Sequence, residues 1–205
     1  MSKKVIVTGA AGFLGSHLAK HHLDAGDDVI GVDNFCSALG SLERPSPHFK
    51  VLQSYENFRF LKSDIAWHAM FDELYTFNNH CGVDVIYNFA CPASPPRYQQ
   101  MPIETMMTCV LGTRNMLKFA RITGGIVVHA STSEVYGDPS SSPQSESYKG
   151  NVNSYGPRAC YDEGKRASEA LCFDYLQKYS VDARLVRIFN TYGPHMDPDD
   201  GRVVS

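Results

Sequence analysis

The sequence predicts an α/β fold built on a doubly wound parallel sheet. Short β-branched runs alternate with stretches of helical periodicity along the chain. The runs are continuously apolar, as expected of parallel strands covered on both faces. The 205 residues, 43% hydrophobic and 20% charged, are ample for one buried core.

Val5-Ile6-Val7-Thr8 reads as the first strand. A helix over 13–25 follows, with Leu14, Leu18 and Leu23 at helical spacing and Gly26 as its stop. Val29-Ile30-Gly31-Val32 is the second strand. Residues 34–57, with Ser37, Gly40, Pro45 and Pro47, read as one long loop. Phe58-Arg59-Phe60-Leu61 is a weaker third strand, and a helix is predicted over 66–79. Residues 83–87 form the fourth strand, and Pro92, Pro95 and Pro96 argue for a stiff loop without helix. A long helix over 103–122 leads to the fifth strand at 126–130, which a Ser/Thr cluster ends. Residues 138–158 are another long loop, followed by a helix over 160–179 and a sixth strand at 183–188.

Composition excludes several classes. A net charge of −3 offers no basic excess for nucleic acid. The longest aliphatic runs, such as Ile126-Val127-Val128, are too short to span a membrane. The first residues lack the apolar stretch of a signal peptide. The six cysteines show no CxxC spacing, so free thiols in a reducing, cytoplasmic setting are expected, with no metal site.

Gly9, Gly12 and Gly15 lie between the first strand and its helix. Glycines there let the backbone turn sharply and approach a pyrophosphate, while the helix start offers free N–H groups. Asp33 ends the second strand, where a carboxylate can accept from both ribose hydroxyls and repel a 2′-phosphate. The pattern is Rossmann-type and favours NAD over NADP.

Of the eleven tyrosines, only Tyr161 has a lysine four residues on, Lys165. The spacing puts phenol and ammonium on one helix face, and a nearby cation favours the phenolate. Such pairs are also common on exposed helices. Thr132, at the carboxyl end of the fifth strand, tips the reading: its hydroxyl can hold a reacting oxygen while Tyr161 takes the proton.

Together these features resemble the extended short-chain dehydrogenase/reductase family. The blocks Ala90–Pro95, Ser131–Pro139, Gly150–Asn153, Gly156–Arg166, Arg187–Pro194 and Asp200–Ser205 resemble its UDP-glucuronate decarboxylase branch. The resemblance implies NAD-dependent oxidation at the sugar C4, loss of CO₂ from the β-keto acid, and return of the hydride. Tyr161 would be the base, Lys165 its partner, Thr132 a ligand of the 4-oxygen, and Glu134 a positioning or proton-transfer group.

The resemblance also implies a set of contacts. NAD would meet Gly9, Gly12, Phe13, Leu14 and Gly15, then Asp33, Asn34, Phe35 and Ser37. Further along it would meet Asp64 and Ile65, then Phe89, Ala90 and Cys91. Thr108, Ala130, Tyr161, Lys165 and Thr191 complete the set. The UDP-sugar would meet Ser94, Asn115, Tyr175, Asn190 and Arg202. A homodimer through the two long helices is implied as well.

Ser133 stands where related 4,6-dehydratases carry Asp, which favours decarboxylase over dehydratase. Met107 replaces the branch's usual lysine, so Arg97 or Arg114 would have to meet a sugar carboxylate, or the substrate differs. Cys109 replaces the usual Asn, and the 36–57 segment also departs from the branch pattern. Rival readings are another nucleotide-sugar enzyme, such as a 4-epimerase, and an NAD-binding module without turnover. Residues 1–205 are expected to form the NAD-binding domain, with most of a C-terminal substrate subdomain beyond Ser205.

Overall fold

A computed structural model of the chain describes residues 2–36, 47–197 and 201. Six parallel strands form one sheet: β1 (Lys4–Thr8), β2 (Asp28–Asp33), β3 (Phe58–Lys62), β4 (Val85–Asn88), β5 (Ile126–Thr132) and β6 (Ala183–Ile188). Their spatial order is β3-β2-β1-β4-β5-β6. The order reverses between β1 and β4, which opens a crevice at their carboxyl ends.

Strand alternation sends side chains to two separate cores. Val5, Val7 and Val29 face one layer, where α1 (Phe13–Asp24) contributes Ala19 and Leu23 and α2 (Pro47–Leu52) contributes Phe49 and Leu52. Ile6, Ile30, Ile86 and Val127 face the other layer. There they meet Met70 and Leu74 of α3 (Met70–Phe77). The sheet is therefore covered on two sides, as its continuous apolar strands required.

Prolines account for two corrections. The stretch expected to be one loop over 34–57 contains α2, which begins at Pro47. The stretch where Pro95 and Pro96 argued against a helix holds α4 (Pro95–Gln100), with both prolines in its first turn. The first N–H groups of a helix have no internal partner, so a proline there loses nothing. Proline breaks a helix in its interior and starts one at its first turn.

The long helix predicted over 103–122 is observed in three pieces. They are α5 (Pro102–Met107), a single wide π turn (Thr108–Gly112) and α6 (Thr113–Thr123). Gly112 fits this packing, because a Cβ there would collide with Ile65. α7 (Ala159–Tyr179) lies against all three pieces. Among the described residues no helix is long and apolar enough to cross a membrane.

Candidate active site

The glycine loop is built from the backbone. Gly9 has φ +72°, its N–H donates to the Val32 carbonyl at 2.8 Å, and its own carbonyl accepts from the Gly12 N–H at 3.0 Å. A Cβ on Gly15 would overlap that same Gly9 carbonyl. The loop is thus pressed onto the first turn of α1 at a distance only glycine allows. Gly12 caps α1 without a side-chain hydrogen bond, and no acidic residue lies in the first turn. The helix start therefore presents N–H donors and positive potential to the crevice, a fit for a pyrophosphate.

Asp33 braces this loop. One carboxylate oxygen accepts from the Ala11 N–H at 3.0 Å and the other from the Phe35 N–H at 2.8 Å. Burial pushes its carboxyl up, while these backbone donors resist. Each oxygen keeps a second lone pair for a ribose hydroxyl. Beside it, Asn34 donates to Asp64 at 3.0 Å, and Asp64 also accepts from the Ala66 N–H at 2.8 Å.

A buried polar chain fixes the turn after β4. The Thr8 hydroxyl donates to Asn88 Oδ1 at 3.1 Å and accepts from the Phe89 and Ala90 N–H groups, both at 3.0 Å. The Asn88 amide reaches Thr113 and His129 Nδ1, each at 3.1 Å. Burial, with the Lys165 charge in second place, holds the His129 imidazole well below the ordinary histidine range.

α7 carries Tyr161 and Lys165 into the crevice one turn apart. Lys165 Nζ is buried and donates to the Ala130 carbonyl at 2.7 Å. Burial opposes its charge, but Cys91 and Tyr161 beside it outweigh burial and hold it above the ordinary lysine range. The expected lowering of Tyr161 by Lys165 is not what the structure gives. The phenol is pushed up to about 12, because burial outweighs the ammonium and a hydrogen bond with Thr132. Lys165 spends its bond on Ala130 and lies 5.7 Å from the ring centroid. Tyr98 stacks on Tyr161, centroids 5.0 Å apart and planes 6° from parallel. Glu134 forms an ion pair with Arg158, the residue that precedes α7.

These groups surround one cleft of about 690 Å³. From the loop, Gly9, Gly12, Phe13, Leu14 and Gly15 line it, and so do Asp33, Asn34 and Phe35. Asp64 and Ile65 follow, then Phe89, Ala90, Cys91 and Ser94. The far wall holds Thr108, Ala130, Thr132, Glu134, Asn190 and Thr191.

Two expected residues lie elsewhere. Asn115 spends its amide on the carbonyls of Ile65 at 2.8 Å and Trp67 at 3.0 Å. Tyr175 packs against Tyr179 and the core beneath α7. Neither side chain lines the cleft formed by the described residues. Ser37 and Arg202 lie outside the described residues.

The cations sort in the same way. Arg97, from α4, lines the cleft. Arg114 lies along a shallow groove with residues of α7, and Met107 is exposed and lines neither. Tyr98 and Arg158 are cleft residues that the sequence reading did not single out. Only Arg158 left a signal, as a cation four residues before Asp162.

Comparison with known proteins agrees with this geometry. Residues 6–203 match the model of the GDP-mannose 4,6 dehydratase family. UDP-glucuronic acid decarboxylase 1 of Xenopus tropicalis is 46% identical over 203 residues, which span 99% of this chain and 44% of that protein. UDP-glucuronic acid decarboxylase 2 of Arabidopsis thaliana is 48% identical over 202 residues, 98% of this chain and 42% of that protein. The chain thus spans less than half the length of these two relatives.

Among solved structures, UDP-glucuronic acid 4-epimerase of Bacillus cereus, in complex with UDP-glucuronic acid and NAD, superposes with a TM-score of 0.76 at 27% identity. The match covers 96% of this chain and 59% of that one. A dTDP-glucose 4,6-dehydratase of Streptomyces venezuelae with NAD bound gives 0.80 at 29% identity, covering 96% and 58%. The chain belongs to the GDP-mannose 4,6 dehydratase family of extended short-chain dehydrogenase/reductases.

Proposed function

We propose that the chain forms the NAD-binding and proton-transfer part of an enzyme that decarboxylates UDP-glucuronate to UDP-xylose. The observation that carries this reading is the meeting of Tyr161, Thr132 and Lys165 in the same cleft as the glycine loop. The 43–48% identity to decarboxylases selects among the chemistries this fold supports. The loop N–H groups would hold the pyrophosphate of NAD and Asp33 its ribose. When bound, NAD supplies hydride acceptance and return at the sugar C4.

The chain's own residues handle the protons. Tyr161 Oη takes the proton of the 4-hydroxyl, and the Thr132 hydroxyl hydrogen-bonds the same oxygen. The step starts from the phenolate, the form that the Lys165 ammonium favours against burial, and it leaves Tyr161 as the phenol. A ketone at C4 makes the C5 carboxylate part of a β-keto acid; loss of CO₂ leaves the bonding electrons in an enolate, which takes a proton at C5. Arg97, the lining cation on the α4 side, is the candidate to meet that carboxylate. Glu134, tied to Arg158, orders the loop after β5 against the start of α7.

A 4-epimerase is the second reading, favoured by the likeness to the Bacillus cereus enzyme. Carbon NMR of labelled UDP-glucuronate incubated with NAD and the whole protein separates them. CO₂ and UDP-xylose without net NADH are expected; a C4 epimer that keeps its carboxylate would overturn decarboxylation. Tyr161→Phe should lower kcat at least ~100-fold, within the usual range for a general base. NAD affinity should change less than about threefold. Turnover left near the parent level would mean another base.

A dimer through α5–α7 is part of the same proposal. Phe173 and Leu176 of α7 and Ile103 of α5 are exposed apolar side chains on these helices. Sedimentation at high concentration should show a dimer that Phe173→Glu dissociates; a monomeric parent would remove the claim.

A further inference from the structure

The mechanism above uses none of the six cysteines. Two of them nevertheless sit together at its centre. Cys91, in the turn after β4, lines the cleft and is half-buried. Cys109, in the π turn of the long helix, is buried at 2% exposure. Their sulfurs lie 3.3 Å apart. Cys109 also rests on α7, where a Cβ at Gly164 would come within 3.0 Å of its own Cβ. The wide π turn and the bare backbone of Gly164 together seat this sulfur beside Cys91.

We propose that Cys91 and Cys109 form a peroxide-reactive thiol pair that closes to a disulfide in the wall of the cleft. A disulfide bond is about 2.05 Å long, so the sulfurs must approach by about 1.3 Å. Cys91 is on a turn rather than in a helix or strand, so the adjustment falls on the less constrained partner. The chemistry balances in two steps. The Cys91 sulfur attacks the O–O bond of a hydroperoxide, giving a sulfenic acid and releasing an alcohol, or water from hydrogen peroxide. Cys109 then attacks that sulfur, its proton leaves with the hydroxyl as water, and the S–S bond forms. The two sulfurs lose two electrons and the peroxide bond gains them.

The surroundings favour these steps. The hydrogen bond between the two sulfurs, helped by burial, pushes the Cys91 thiol well up, and the same bond holds the Cys109 thiol below the ordinary cysteine range against its burial. Cys109 is therefore the better thiolate and can take the Cys91 proton across the 3.3 Å contact as Cys91, the sulfur that lines the cleft, meets the peroxide. Among the described residues Cys81 is exposed and serves as an internal control for indiscriminate oxidation.

The test uses the whole chain, reduced and then exposed to hydrogen peroxide, alkylated and digested without reductant. The expected product is a Cys91–Cys109 linked peptide pair, lost on treatment with dithiothreitol. It should form at least ~10-fold faster than any other cysteine pairing and lose that preference in urea. In Cys109→Ser, dimedone should trap Cys91 as a sulfenic acid. Should that variant fail to fold, Cys91→Ser provides the second reading: Cys109 should then stay reduced at least ~10-fold longer than in the parent. Both thiols remaining alkylatable while Cys81 oxidises would overturn the proposal. So would a disulfide from Cys91 to any other cysteine.

Discussion

The two sides of the cleft are held by different means. On the β1–β3 side, backbone groups do the holding: the Gly9 turn, the N–H groups at the start of α1, and Asp33 bonded to N–H groups two residues after it and twenty-two before it. On the β5–β6 side, side chains hold one another across long separations. Ser131 donates to Glu169 at 2.5 Å, and Glu169 takes two bonds from Arg187, at 2.9 and 2.7 Å. Arg187 in turn donates to the Tyr136 hydroxyl at 3.0 Å. A site made of backbone tolerates little added volume, whereas a site made of side chains tolerates volume and fails when a charge is removed.

The largest break should come on the backbone side. Gly15→Ala puts a methyl into the Gly9 carbonyl, and neither helix nor loop can yield without moving the other. The expected cost is ~3 kcal/mol of stability, the upper range for overpacking. Calorimetric titration should show NAD affinity falling at least ~100-fold. Unchanged affinity would mean that the loop relaxes freely and the contrast is false.

Glu169→Gln should come next. It leaves the Arg187 guanidinium partly buried with its charge unmatched, and a hydrogen bond to a charged group is worth about 2 kcal/mol. Urea unfolding measures this directly. NAD affinity should shift much less than in Gly15→Ala, because the network lies on the other wall.

The smallest effect belongs to His129, which joins the two sides through Asn88. Its folded pKa lies below the ordinary 6.5, so the unfolded chain takes up the proton first as pH falls. The stability supplied by the neutral ring is present above about 6.5 and is lost progressively below it. His129→Gln should flatten the acid limb of a plot of stability against pH. An unchanged limb would assign acid sensitivity to other groups.

The same contrast decides what could be read in advance. Gly9, Gly12, Gly15 and Asp33 are legible because their geometry is local: a turn, a helix start and the end of the next strand. Tyr161 and Lys165 are legible because one helical turn joins them. Tyr98 on Tyr161 and Glu134 on Arg158 are not, since nothing near either partner marks the other. Pro95 and Pro96 were legible as punctuation, but whether they stop or start a helix depends on which residues follow in space. That Asn115 bonds the Ile65 and Trp67 carbonyls and that Tyr175 packs on Tyr179 is likewise set by packing between segments, which family position does not reveal.

Sequence alone determined the parallel sheet, the glycine loop and the phenol–lysine face, because each follows from short-range periodicity and backbone sterics. Tertiary structure decided the titration of Tyr161, since burial there outweighs a cation that sequence could only place nearby. It also decided that Arg97 lines the cleft while Arg114 and Met107 do not, and that Cys91 meets Cys109. Those outcomes depend on distances between segments far apart in the chain, which are fixed only when the helices pack on the sheet.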